Sequence, residues 1–274
     1  MTTLCHWADL TSKGLSALAA EDPVALLVLG AIEQHGHHLP LSTDLDIGLG
    51  LQQATLDALA RRPAATGAGG HVVCLPPLAV GASDEHASYP GTLSLPPSLA
   101  IATLEAYGAS IARAGIRRLL LLNSHGGNKA VMDLAALALR RRHAMLVVKA
   151  TYTRLAPPPG DWLPTEELRH GLHGGALETA MMLHLAPHKV TQAAAGHPPA
   201  SSETLAAAGK LVGPEGEAAF AWLAEDLHAD GVAGNATLAD AALGERLVAH
   251  YAERLAEVVI ETQTLSLPGW AQQR

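Results

Sequence analysis

Apolar residues gather in short unbroken runs. Residues 24–29 (VALLVL) lie between Pro23 and Gly30 with no polar position among them. A run with no polar face predicts a strand buried on both sides, as in a parallel sheet covered by helices. Similar runs occupy residues 71–75, ended by Pro76 and Pro77, residues 118–122, ending at Asn123, and residues 145–151. Between them apolar positions recur at helical spacing over 46–61, 97–114 and 129–142. Strand and helix alternate, which predicts an α/β layered fold with a mostly parallel sheet. Further on, residues 157–160 with Asp161-Trp162 predict a loop, and 178–185 a helix closed by Pro187. From Ser202 the tail is Ala-rich and helical, broken at Gly213-Pro214 and at 231–235. No internal repeat is visible, and 274 residues suit one domain over 1–274.

Composition narrows the function. Hydrophobic residues make up 49%, enough for a sizeable core, and the formal charge is −8 from 18 basic and 26 acidic residues. That balance predicts no nucleic-acid partner. The first ten residues lack a basic start followed by an apolar run, so no secretory signal is expected. No apolar stretch reaches the ~20 residues of a membrane helix. Cys5 and Cys74 are too few for a disulfide framework and read as reduced thiols of a cytoplasmic protein. The oddity is 15 histidines, more than the lysines, several of them clustered with Gly and acidic residues.

The chemistry-bearing residues follow the predicted strands, where parallel α/β sheets bind ligands. After the first strand come Glu33, His35, His37, His38 and Asp44. Glu33 and His35 are two apart and face the same way in an extended segment. With Asp44 they form a mixed oxygen and nitrogen donor set that suits Zn, Mn or Fe, although Asp44 alone equally suits a helix cap. His37 and His38 are read as supporting residues, because four or five donors fill a site. After the third strand stands His125, between Ser124 and Gly126-Gly127; the competing reading is an exposed His in a glycine-rich turn. His173-Gly174-Gly175 leads to Glu178 at the head of an apolar helix. His173 suits proton transfer or a plain loop position, and the helix dipole alone favours a carboxylate at Glu178. Ser83, Glu85 and His86 follow the second strand and are substrate-contact candidates, with turn chemistry as the alternative.

Taken together, residues 33–44, 81–92, 125–128 and 173–179 resemble the creatininase family. The resemblance rests on Glu-Gln-His-Gly running to Leu-Pro-Leu and an Asp, Gly-x-Ser-x-Glu-His before Pro-Gly-Thr, His-Gly-Gly-Asn after a strand, and a His-x-Gly segment ending Glu-Thr. Residues 231–240 (GVAGNATLAD) resemble the family's C-terminal glycine motif, so the likeness covers about residues 20–260. It implies a three-layer α/β/α fold, a homohexamer, and hydrolysis of an amide-type C–N bond in a cyclic amide, formamide or small peptide-like substrate. It also implies two divalent ions per chain, Zn foremost and Mn or Fe otherwise. Asp44 would bridge them, Glu33 and His125 would complete one position, and His35 the other, with His173 as the catalytic His. Two places depart from creatininase itself, which has Tyr and a ligand Glu where this chain has Gly126 and Gly127. Glu178 is then the candidate carboxylate for the second metal, and the lost Tyr argues against creatinine as substrate.

Rival classes have weak support. The only run like a dinucleotide-binding turn, Gly67-Ala68-Gly69-Gly70, precedes a strand instead of following one. Residues 81–85 lack the closing Gly of a serine-hydrolase elbow. A non-catalytic, metal-stabilised binding member of the same family is the remaining alternative, since ligands alone do not prove turnover.

Overall fold

The computed structural model describes residues 4–62 and 71–266; the Gly67–Gly70 run lies outside them. Five parallel strands form the central sheet: β1 (Leu4–His6), β2 (Val24–Leu29), β3 (Val72–Cys74), β4 (Arg118–Asn123) and β5 (Leu146–Thr151). Their order is β1-β3-β2-β4-β5. Four correspond to the apolar runs. β1 is a three-residue edge strand without such a run, and pairing with β3 is what makes it a strand.

The unbroken apolar character of β2 is explained by two half-cores. Val24, Leu26 and Val28 point into one, and Ala25, Leu27 and Leu29 into the other. The first is closed by α2 (Thr43–Arg61), α6 (Ala176–Leu185) and α9 (Ala241–Thr264), the second by α1 (Ser12–Ala19), α3 (Pro97–Arg113) and α4 (Asn128–His143). The result is three layers, α/β/α. The remaining helices are short: α5 (Thr165–His170), α7 (Ser201–Ala207) and α8 (Ala224–Leu227). The tail is therefore less helical than its alanine content predicts. Gly209, Gly213-Pro214, Gly216, Gly231 and Gly234 interrupt it, leaving only the four-residue α8 before the long helix begins at Ala241, where Asp240 accepts a bond from Leu243 N at 2.7 Å. Cys5 and Cys74 are free thiols. No helix among the described residues is long and apolar enough to cross a membrane.

The strand order fixes where a ligand belongs. From β2 the chain steps to β3 on one side, then returns past β2 to place β4 on the other. That reversal opens a crevice between the carboxyl ends of β2 and β4. The start of α2 approaches it closely because Gly30 and Gly48 have no Cβ; one at Gly30 would meet Leu45 Cα at 2.9 Å, and one at Gly48 would meet Ser124 Oγ at 2.7 Å.

Candidate metal centre

The loop after β2 carries Glu33 and His35 into the crevice, the first turn of α2 carries Asp44, and the turn after β4 carries His125. Side-chain hydrogen bonds tie these segments together. Asn128 accepts from Ala82 N at 3.1 Å and donates to Gly30 O at 3.1 Å, joining the segments after β2 and β3 to α4. Asn123 donates to His125 O at 2.8 Å, and Ser124 donates to Asp44 O at 2.7 Å. Ser124 is thus a brace for α2 and not a nucleophile. Asp44 caps nothing: it lies inside the helix's first turn and its side chain is buried in the crevice.

Each histidine's tautomer follows from its partners. His125 Nε2 lies 2.8 Å from Ala82 O, and a carbonyl only accepts, so Nε2 carries a proton. Its Nδ1 then faces Glu33 Oε2 at 3.3 Å and Asp44 Oδ2 at 3.4 Å. His35 Nδ1 donates to Glu33 O at 3.1 Å, which turns Nε2 toward Asp44 Oδ1 at 3.7 Å. His173 Nε2 donates to Gln34 O at 2.7 Å, leaving Nδ1 3.9 Å from Glu33 Oε1. In all three rings one nitrogen is anchored on a backbone carbonyl and the other is aimed at carboxylates. Metal-ligating histidines are held in this way. His86 is reversed. Its Nδ1 accepts from Gln34 Nε2 at 3.1 Å, so Nε2–H points at Glu33 Oε1, 3.4 Å away, and steadies that carboxylate.

The donor atoms fit a cation better than they fit one another. Glu33 Oε2, His35 Nε2 and Asp44 Oδ2 are buried and have no hydrogen-bond partner. Each such atom in a dry interior costs about 1–3 kcal/mol, and several together in one place mark a ligand site. Two donor sets share Asp44: Glu33, Asp44 and His125, and His35, Asp44 and Glu178; within each, the ligand atoms lie within 4.8 Å of one another. Glu33 with His35 and His173, and Glu33 with Glu85 and His86, meet the same criterion. Without an ion, protons substitute for one. Burial disfavours charge on His35, but Asp44, with Glu178 and Glu33 adding, outweighs it and lifts the ring to about 10. His125 is likewise raised well above its usual value against its burial by Glu33 and Asp44. Burial pushes Glu178 up to about 7. Burial and the neighbouring His35 and His86 hold His173 well below its usual value, hence neutral.

The other candidates fall around this centre. Ser83 Oγ lies 3.2 Å and Glu85 Oε1 3.5 Å from His125 Nε2. Ser83 and His86 are buried under the site, whereas the Glu85 side chain keeps 21% exposure. A Cβ at Gly127 would meet Ala82 O at 2.2 Å and Glu85 Oε1 at 2.4 Å, so this turn has no room for a carboxylate of its own. His38 donates to Gly174 O and Thr179 Oγ1, at 3.1 and 3.0 Å, and supports the loop bearing His173; exposed His37 pairs with Asp230. Trp162 is packed against the core beneath Arg246, 4.9 Å from its ring. Sequence reasoning gave no role to Gln34, whose amide donates to His86 and Gly231 O and accepts from Gly36 N. Its place between Glu33 and His35 was the available signal.

A parallel α/β/α sheet with two His- and carboxylate-lined donor sets at its switch point defines a candidate metal-binding site of the kind α/β proteins place there. The creatininase family model, described as creatinine amidohydrolase, matches residues 8–259, and the chain belongs to the creatininase family. A mycofactocin precursor peptide peptidase of Mycolicibacterium smegmatis is 32% identical over 180 residues, 66% of this chain and 64% of the relative, just under two thirds of that protein's length. The creatinine amidohydrolase of Pseudomonas putida is 33% identical over 210 residues, 70% of this chain and 76% of the relative. Among solved structures, one described as creatininase Mn superposes with a TM-score of 0.77 at 24% identity, covering 97% of this chain and all of that one. A creatininase variant of Zn-Zn type gives 0.74 at 26% identity, covering 95% and 98%.

Proposed function

We propose that this protein hydrolyses an amide-type C–N bond with two divalent ions, one held by Glu33, Asp44 and His125 and the other by His35, Asp44 and Glu178. The observation that carries this reading is Asp44. It belongs to both donor sets, and its Oδ2, with Glu33 Oε2 and His35 Nε2, is buried without a hydrogen-bond partner. When bound, the ions supply a water activated near neutral pH and polarise the substrate carbonyl. Zinc is the first choice, and manganese or iron suits the same donors. The related creatininases of Mn and Zn-Zn type support this choice.

The chain's own residues do the rest. His173, neutral and fixed through Nε2 on Gln34 O, accepts a proton at Nδ1 and passes it to the leaving nitrogen. Glu85, the partly exposed candidate, meets the substrate, while Ser83 and His86 hold His125 and Glu33 in place. The substrate class is a cyclic amide, a formamide or a small peptide-like amide; the peptidase and amidohydrolase relatives support that span. A homohexamer, which the family resemblance implies, and a cytoplasmic location, which two free thiols suit, are part of the same proposal.

The test is turnover of a panel of lactams, formamides and short peptides by metal-loaded protein. Hydrolysis of at least one class, abolished by a chelator and restored by Zn or Mn, is expected. Hydrolysis indifferent to chelation, or none by a fully metal-loaded protein across the panel, overturns the enzyme reading, and the latter points to a binding protein.

A further inference from the structure

Glu167, on α5, is a buried carboxylate outside both donor sets. Its Oε1 accepts a hydrogen bond from Ala176 N and its Oε2 one from Asn235 N, each at 2.7 Å. A buried carboxylate costs several kcal/mol in lost hydration; burial raises the Glu167 carboxyl above its usual value, and charge-assisted bonds to two backbone amides offset part of that cost. The two amides belong to different segments. Ala176 begins α6, two residues before Glu178, and Asn235 closes the 231–235 glycine turn, whose Gly231 O also accepts from Gln34.

The surroundings are shaped to admit this side chain. A Cβ would meet Glu167 Oε1 at 2.5 Å from Gly171, 2.5 Å from Gly175 and 3.0 Å from Gly234. Gly234 also has φ +135°, which L side chains rarely adopt. The same two segments pair once more through His173: its N donates to Ala233 O at 3.1 Å, and Ala233 N donates to His173 O at 2.8 Å. Glu178 Oε2 in turn accepts from Gly174 N at 2.7 Å. One carboxylate therefore sits behind the loop that carries both His173 and Glu178.

We infer that Glu167 is a positioning residue: it locks the 173–178 loop to the 231–235 glycine turn and so sets the aim of His173 and Glu178 into the metal centre. The glycine-rich C-terminal motif is the second jaw of this clamp. The part of the inference that concerns metal rests on the dinuclear reading above; the clamp itself does not.

Glu167→Gln is the informative substitution. It keeps the shape, but an amide oxygen satisfies one backbone N–H while the NH2 group faces the other, so one bond is lost. Two measurements on the full chain decide. Hydrogen exchange of the metal-free protein should show at least one of the Ala176 and Asn235 amides exchanging at least ~10-fold faster, with slow amides in β2 and β4 unchanged. Titration with Zn should show one of two equivalents weakened about 10- to 100-fold and the other preserved, and Glu178→Gln should weaken the same equivalent. If Glu167→Gln folds poorly, Glu167→Asp, which withdraws the charge by one methylene, should give the same pattern in smaller degree. Unchanged exchange at both amides, or uniform acceleration across the sheet, overturns the clamp. Unchanged affinity of both equivalents with the amides loosened overturns its influence on the site. A wild-type protein that binds no Zn refutes the dinuclear reading instead, and the exchange result still decides the clamp.

Discussion

The two ends of the sheet treat charge in opposite ways. At the amino end, Arg113 finishes α3 and Arg117 follows it, and Arg140, Arg141, Arg142 and His143 finish α4. Arg117 donates to Ala112 O, Arg113 to Ser110 Oγ, and Arg142 pairs with Glu105. These are cations beside helix carboxyl ends, where the dipole favours them and water reaches them. At the carboxyl end, Glu33, His35, Asp44, His125 and His173 are buried, and three of their polar atoms have no partner. Cations gather at the amino end, yet the function is read from the carboxyl end. What separates them is the cost of unmet hydrogen-bonding capacity, which is near zero in water and large in a dry crevice.

That contrast is sharpened by mutations at each end. The largest effect is expected for His173→Ala, which should retain metal while lowering turnover about 100- to 10,000-fold; steady-state kinetics with metal analysis of the same sample checks this, and full turnover would remove His173 from the chemistry. Next is Arg118→Ala, the buried cation of the amino end. Arg118 bonds Asp22 Oδ2 at 3.0 Å, Thr262 O at 2.7 Å and Leu265 O at 3.0 Å. Its loss strands acceptors and should lower unfolding free energy by about 2–3 kcal/mol in denaturant titration, with metal affinity intact. Smaller is the pH effect on metal binding. The ion-free His35 is raised to about 10, so it is protonated at neutral pH and must lose that proton to bind a metal. Affinity should rise about tenfold per pH unit from about 7 toward 9, with proton release visible by calorimetry in buffers of different ionisation enthalpy. A flat profile would show that no proton competes for the site. The smallest effect is expected for Arg142→Ala, an exposed pair worth at most about 0.5 kcal/mol and weaker still in high salt.

Much of this was legible in the chain. β2 is apolar throughout and β4 carries four leucines in succession because both faces are covered, and such strands announce themselves without alternation. The donors Glu33, His35, Asp44 and His125 follow those strands directly, so their convergence needed only the strand order. Other features lacked a local signal. β1 is set by its neighbour, and the start of α2 at Thr43 depends on tertiary ties such as Ser124 to Asp44 O. Glu167 stands in sequence beside Glu166 in a polar segment, the pattern of a solvated position. Only the fold, by bringing Ala176 and Asn235 to it across 9 and 68 positions of chain, reveals a buried clamp. The tautomers of His125 and His173 depend on backbone carbonyls from distant segments, and that of His86 on the Gln34 amide, which no spacing rule reports.

The central claim is that Asp44 serves two ions at once. It is tested most directly by elemental analysis of metal per chain, in protein purified without chelator, for wild type and Asp44→Ala. Two equivalents in wild type and near none in the folded variant are predicted. One or none in wild type after incubation with Zn or Mn, or two retained by the variant, would contradict it.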